Sequence, residues 1–288
     1  MPPHLLLCTD LDRTLIPNGE AIEPPNAREN FKAFCKSADV SLVYVTGRHK
    51  DLIKEAIQHY QLPEPDYVIS DVGSKLYQLK AQQWHEMPKW LAEMNQAWRD
   101  YDADDIHTLL TEIQTLKRQE ASKQNTHKLS YYIPLDTDQE NLFRQIQSIL
   151  EHHHINANLI WSIDEAKAIG LLDILPANAT KRHAIEHLQN QLGVTHTETL
   201  FAGDSGNDLA VLASPIPAVL VGNASPEIQQ QACQLAQQSQ TSNQLYLAHA
   251  TPTDNGNYAA GILQGVWHYF PNFRPQLKSL GVHYDVNC

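Results

Sequence analysis

Asp10-Leu11-Asp12-Arg13-Thr14 sets two carboxylates two residues apart, directly after the apolar run 4–9. In extended chain that spacing puts both on one face and turns Leu11 to the other. Neighbouring carboxylates repel, so the pair calls for a cation, or for a proton shared with a reacting group. Three later stretches carry polar groups that match this need: Thr46-Gly47-Arg48, Lys181 after Asn178-Ala179-Thr180, and Gly203-Asp204-Ser205-Gly206-Asn207-Asp208. A lysine in a first helical turn opposes the helix dipole, so Lys181 asks for an anionic neighbour. Each stretch alone has a plainer role open to it. Asp10 and Asp12 can form a capped turn, and Thr46, Asp204 and Asp208 can cap helices. In this order, the four together form one specific constellation.

The elements that would position these groups alternate. Strands are expected at 4–9, 40–45 and 66–70, with helices at 27–37 and 49–60 between them. A turn at 71–74 and an edge strand at 75–79 follow. Composition shifts near Gln82: polar helices are expected at 90–100, 104–119 and 138–153, and strands at 128–134 and 159–163. Alternation resumes at Leu171. Helices follow at 181–192, 207–213 and 226–236, strands at 199–202 and 218–221, a polar mobile loop at 237–244, and a last helix after Asn255-Gly256-Asn257. The pattern predicts an α/β fold: a doubly wound, Rossmann-like parallel sheet core over 1–82 and 168–288, with a smaller inserted α+β unit over 83–167. Ligands of such sheets bind beyond the carboxyl ends of the strands, where this sequence repeatedly places its polar signals. In the insert, Leu129, Tyr131 and Ile133 share one strand face, and Lys128, Ser130 and Tyr132 the other. A sheet with one covered face explains this alternation; a polar face bearing Lys128 can also meet a ligand.

Bulk properties narrow the partners. A formal net charge of −12 argues against nucleic acid or an anionic membrane as main partner, though not against a small anion met by a local cluster of cations. Cys8, Cys35, Cys233 and Cys288 are far apart and form no CxxC, which favours reduced thiols and a cytoplasmic location. Residues 1–7 are too short for a signal peptide and no apolar run approaches a membrane span. His152-His153-His154 has the look of a metal tract, but consecutive histidines at a helix end point apart and are usually solvated.

The four motifs resemble those of the haloacid-dehalogenase-like (HAD) phosphohydrolases, and the resemblance covers essentially the whole chain. The insert then looks like the cap of the sugar-phosphatase branch. Asp66-Tyr67-Val68, Val72-Gly73-Ser74-Lys75-Leu76-Tyr77 and His127-Lys128-Leu129-Ser130-Tyr131 resemble sucrose-phosphate phosphatase, where a glutamate commonly stands in place of Lys75. Residues 171–180 and 255–260 are similar to mannosylfructose-phosphate phosphatase. The resemblance implies a Mg²⁺-dependent hydrolysis of a disaccharide phosphate. Sucrose 6-phosphate is the expected substrate, with mannosylfructose phosphate as the alternative. Asp10 would be the nucleophile, ionised at neutral pH. Asp12, beside another carboxylate and the phosphate, would be protonated and serve as the acid and then the base. Asp10, the Asp12 backbone carbonyl and Asp204 would hold Mg²⁺, with Asp208 direct or in support. Thr46, Gly47, Arg48, Ser74, Lys128, Lys181 and Asn207 would bind phosphate or substrate. Two other classes share these residues: a phosphotransferase or mutase, and a non-catalytic sugar-phosphate sensor. Association with a sucrose-phosphate synthase is a further expectation.

Overall fold

The computed structural model describes residues 5–164 and 167–284. His4 of the expected first strand and Cys288 lie outside the described residues. In chain order the elements are β1 (Leu5–Thr9), α1 (Ala27–Phe34), β2 (Val40–Val45), α2 (Lys50–His59), β3 (Tyr67–Ser70), β4 (Lys75–Lys80), β5 (Gln83–Glu86) and α3 (Pro88–Ala97). Then come α4 (Ala103–Leu109), β6 (Lys117–Arg118), β7 (Leu129–Ile133), α5 (Gln139–His152), β8 (Ala157–Asp164) and β9 (Ile169–Pro176). The chain continues through α6 (Lys181–Leu192), β10 (Thr199–Gly203), α7 (Leu209–Leu212), β11 (Ala218–Leu220), α8 (Pro226–Gln238), β12 (Leu245–Leu247), α9 (Tyr258–Tyr269) and α10 (Arg274–Ser279).

Eight strands form the larger sheet in the order β12-β11-β10-β1-β2-β3-β4-β5. The pairings from β12 to β3 are parallel; β4 and β5 add an antiparallel margin. Both faces are covered, which is why β1 reads as a continuous apolar run. Leu5 and Leu7 pack with Phe31, Phe34, Ile53, Ile262 and Val266 on one side. Leu6 and Cys8 pack with Trp90, Ile185, Leu188 and Phe201 on the other. The expected doubly wound α/β core is therefore present. The chain leaves β1 in one direction through β2 and β3, and returns on its other flank as β10, β11 and β12. The carboxyl ends of β1 and β10 thus flank the point where strand order reverses, the crevice in which such sheets bind ligands.

A second sheet, β6-β7-β9-β8, is antiparallel. Leu129, Tyr131, Ile133, Leu172 and Ile174 on one of its faces pack with Ile106 of α4 and Leu142, Ile146 and Leu150 of α5.

Several expectations need correction. β5 extends the larger sheet, and Trp90 and Met94 of α3 lie in its core, whereas β9 is an interior strand of the smaller sheet. β5 and α3, expected in the insert, thus pack with the larger sheet, and β9, expected in the core, pairs within the smaller one. β4 is not an edge, since β5 pairs beyond it. The helix expected over 104–119 ends at Leu109. Leu110, Ile113 and Leu116 recur every three residues, but Ile113 N–H bonds Leu110 O and Leu116 N–H bonds Ile113 O, so successive turns mimic helical spacing. Finally, 237–244 is largely ordered: α8 runs to Gln238, a 3-10 turn covers Ser242–Gln244, and β12 then pairs with β11.

Candidate active site

Asp10 follows β1, Thr46 follows β2, and Asp204 and Asp208 follow β10. Parallel pairing of Thr9 with both Ala202 and Tyr44 brings these three strand ends level. Asp10, Asp204 and Asp208 are all buried and each offers an oxygen within 4.8 Å of the others. Gly203 permits the close approach: a Cβ there would sit 2.6 Å from the Asp208 carboxyl carbon. Asp208 Oδ2 accepts from the backbone N–H groups of Asp204 and Ser205, both at 3.0 Å.

Lys181 is the first residue of α6, capped by Thr180, whose hydroxyl accepts from His183 N–H at 3.1 Å. Its buried ammonium lies 3.2 Å from Asp10 Oδ1 and 2.7 Å from Asp208 Oδ1, and donates to Asn207 Oδ1 at 3.0 Å. This is the anionic neighbourhood its place in a first helical turn asked for. One ammonium does not neutralise three carboxylates. Burial, with Asp208 and Asp204 nearby, pushes Asp10 up to about 7 against the opposing pull of Lys181. Burial and Asp208 likewise push Asp204 up to about 6. With protein groups alone, Asp10 is not the fully ionised carboxylate expected from its type. Three buried carboxylates, oxygen donors only and short of positive charge, suit a hard divalent cation.

Asp12 is held by a different set of groups. Burial would raise its pKa, but Arg48 outweighs it, donating from Nε at 2.8 Å and Nη2 at 2.6 Å, with Asn18 adding a third bond at 2.7 Å. The carboxyl is held below the usual range. Arg48, expected on phosphate, is spent on Asp12 here. Thr46 is buried and its hydroxyl accepts from Arg48 N–H at 3.2 Å. Gly47 has the side chain of Val72 as its near neighbour.

Ser74 and Lys128 belong to a second cluster, where the two sheets meet. Ser74 Oγ accepts from Asn125 Nδ2 at 3.2 Å, linking the β3–β4 turn to the smaller sheet. Lys128 is not on a solvated face: it is 8% exposed, 4.0 Å from Asp71 Oδ1 and 3.4 Å from Asp173 Oδ2. Ser130 Oγ donates to Asp173 Oδ1 at 2.5 Å. Lys75, also buried, pairs with Glu86 at 2.6 Å. His127 has both ring nitrogens buried and without a hydrogen-bond partner among the described residues, and burial beside Lys75 pushes it down to about 4. Sequence reasoning passed over Asp71, Asp173 and Glu86. Asp173 left one signal: a lone carboxylate in the apolar run 171–175, on the face that antiparallel pairing gives to Ser130.

Two ties fasten α3 to this region. Trp90 Nε1–H donates to Gly73 O at 3.1 Å. Glu93 takes His183 on one carboxylate oxygen and His187, at 2.9 Å, on the other. The triple histidine at the end of α5 joins no candidate metal cluster among the described residues.

Residues 3–270 match the family described as sucrose-6F-phosphate phosphohydrolase. A Nitrosococcus oceani protein described only as a HAD-like hydrolase is 45% identical over 97% of this chain and 75% of its own. The mannosylfructose-phosphate phosphatase of Agrobacterium fabrum is 30% identical over 95% of this chain and 100% of its own. Among solved structures, the sucrose-phosphatase of Synechocystis, in complex with sucrose and phosphate, superposes with a TM-score of 0.70. It is 25% identical, over 93% of this chain and 98% of that one.

Proposed function

We propose, from the premise that this chain belongs to the sucrose-6F-phosphate phosphohydrolase family and is a phosphoric monoester hydrolase of the HAD type, that it hydrolyses sucrose 6-phosphate to sucrose and phosphate through an aspartyl-phosphate on Asp10. The observation that carries the reading is the buried Lys181 ammonium, which touches both Asp10 and Asp208 at the point where strand order reverses. A nucleophile, its counter-charge and an anion pocket are thereby assembled in one place.

Asp10 attacks phosphorus, and Lys181 and Thr46 hold oxygens that are not transferred. Asp10, Asp204 and the Asp12 carbonyl would hold Mg²⁺, with Asp208 behind them; when bound it offsets the repulsion between carboxylate and phosphate. The bidentate grip of Arg48 on Asp12 gives the acid step a trigger. A phosphate competes for the same guanidinium fork. As Arg48 turns to the phosphate, Asp12 is left beside an anion and takes up a proton. It passes that proton to the departing sugar oxygen. In the second half it accepts one from the water that opens the aspartyl-phosphate. Lys128 and its neighbours at the seam read the sugar.

Phosphate release over a panel of sugar phosphates, with and without EDTA, tests this. Sucrose 6-phosphate should be the best substrate and chelation should stop its turnover. Full activity after exhaustive chelation removes the metal, and no release from any disaccharide phosphate removes the substrate class. The full-length match to the Agrobacterium enzyme favours mannosylfructose phosphate as the second reading, and the same panel separates the two.

A further inference from the structure

Arg13 belongs to the first of the two motifs that build the acidic cluster and has an unusual backbone state. Its φ is +56°, in the left-handed region that glycine fills most easily. The turn is pinned from both sides. Arg13 N–H donates to Asn18 Oδ1 at 2.8 Å, and Arg13 O accepts from Asn223 Nδ2, far along the chain, at 2.6 Å. An observed strain held in place by its surroundings is a reason to ask what the side chain does. It runs past Gly19, where a Cβ would lie 3.4 Å from Arg13 Cγ, and brings Nε to 3.3 Å from Asp204 Oδ2. The two partners differ in exposure: 58% for Arg13 and 4% for Asp204. The guanidinium therefore reaches in from solvent and can leave again, while Asp204 stays. The other oxygen, Oδ1, is taken by the Thr14 hydroxyl at 3.0 Å. Lys181 serves Asp10 and Asp208, so the third carboxylate of the cluster has its own, removable cation.

We infer that Arg13 is a tethered rival of the divalent cation: it holds Asp204 Oδ2 until the metal takes that oxygen, and so sets how tightly the site binds metal. The inference rests on the metal centre proposed above. Displacing an ion pair that is half in water costs little, so the rival lowers affinity without closing the site. A neutral side chain at position 13 removes that cost.

The test is binding of Mn²⁺ alone, followed by electron paramagnetic resonance, with no substrate present. Arg13→Gln should bind Mn²⁺ about fivefold more tightly than the natural protein, and Arg13→Lys, which keeps the charge, should stay near it. Arg13→Gly suits the left-handed turn and should show the same tightening as Arg13→Gln, which guards against misfolding of the latter. Unchanged or weaker Mn²⁺ binding in Arg13→Gln and Arg13→Gly overturns the inference and leaves the metal centre standing. Failure of the natural protein to bind Mn²⁺, or binding that survives Asp204→Asn, overturns the metal centre itself and the inference with it.

Discussion

The acidic cluster at the strand ends and the charged cluster at the seam between the sheets are built to different standards. At the strand ends, Lys181 makes three close contacts and Asp208 is met on both oxygens, all by groups on elements of one sheet core. At the seam, Lys128 reaches across to Asp71 at 4.0 Å, Asp173 lies 3.4 Å away, and His127 has no partner for either nitrogen among the described residues. In the first region every polar group is held by close partners, and what it lacks is positive charge. The second holds buried polar capacity that a ligand rich in hydroxyls can fill, since unpaired polar groups are costly to bury. On the function proposed above, chemistry would sit where geometry is over-determined, and recognition where it is left partly unsatisfied.

The largest test of this contrast is Asp10→Asn. An amide cannot form the acyl phosphate, so turnover should fall by about a thousandfold or more on every substrate. Mass spectrometry of the natural protein, quenched during turnover, should find added phosphate on Asp10. Activity near normal in the variant would show that the strand-end cluster is not where the chemistry lies. Lys181→Met should come next. Removing a buried cation from between two carboxylates should cost about 3–5 kcal/mol of stability, read by urea unfolding, and about a hundredfold or more in kcat. A well-folded, active Lys181→Met protein would mean that the cluster is less tightly coupled than its distances imply.

At the seam the losses should be smaller and selective. Lys128→Ala should lower kcat/KM on the disaccharide phosphate by about ten- to a hundredfold, through the loss of ~1.5–3 kcal/mol of charge-assisted hydrogen bonding. Hydrolysis of a small aryl phosphate should change little; equal losses on both would assign Lys128 to phosphate. The effect confined to one side chain's proton is in stability against pH. His127 is pushed down to about 4 in the fold, against about 6.5 when unfolded. Above 6.5 it is neutral in both states and contributes no pH dependence. Between 6.5 and 4 the unfolded chain binds the proton and the fold does not, so stability should fall as pH falls. The slope is at most ~1.4 kcal/mol per pH unit, levelling below 4. In His127→Gln that component should vanish from urea midpoints compared across this range; an unchanged profile would mean that His127 is protonated within the fold.

The two regions also differed in how much the sequence disclosed. Asp10, Asp12, Thr46, Lys181, Asp204 and Asp208 each sit at the end of an apolar run or the start of a helix, so local pattern and sheet topology alone bring their positions together. What the sequence could not disclose was who holds whom. That Arg48 grips Asp12, and that burial lifts Asp10, depends on packing across elements tens of residues apart. At the seam the alternation of 128–133 was legible, and its apolar face is the core of the smaller sheet. What the polar face meets was not legible, because Asp71 from the β3–β4 turn and Asp173 two strands of chain away leave no periodic trace. Leu110, Ile113 and Leu116 misled for a related reason: threefold spacing serves a chain of turns as well as a helix.

The ties on α3 bear on how such a molecule can change over generations. Trp90 and Glu93 fasten α3 to the β3–β4 turn and to His183 and His187 of α6, and β9 runs within four residues into Lys181. Both ends of the intervening segment are therefore anchored on α6, the helix that carries the buried lysine. Everything from Trp98 to Pro176 hangs between these anchors and has its own apolar core. If that segment reads the substrate, as proposed above, it is an exchangeable module. A foreign recognition unit grafted after Ala97 and rejoined before Ala177 would keep α3, its clasp on α6 and the approach to Lys181. New substrates could thus be acquired by swapping one contiguous stretch while the hydrolytic machinery is inherited unaltered.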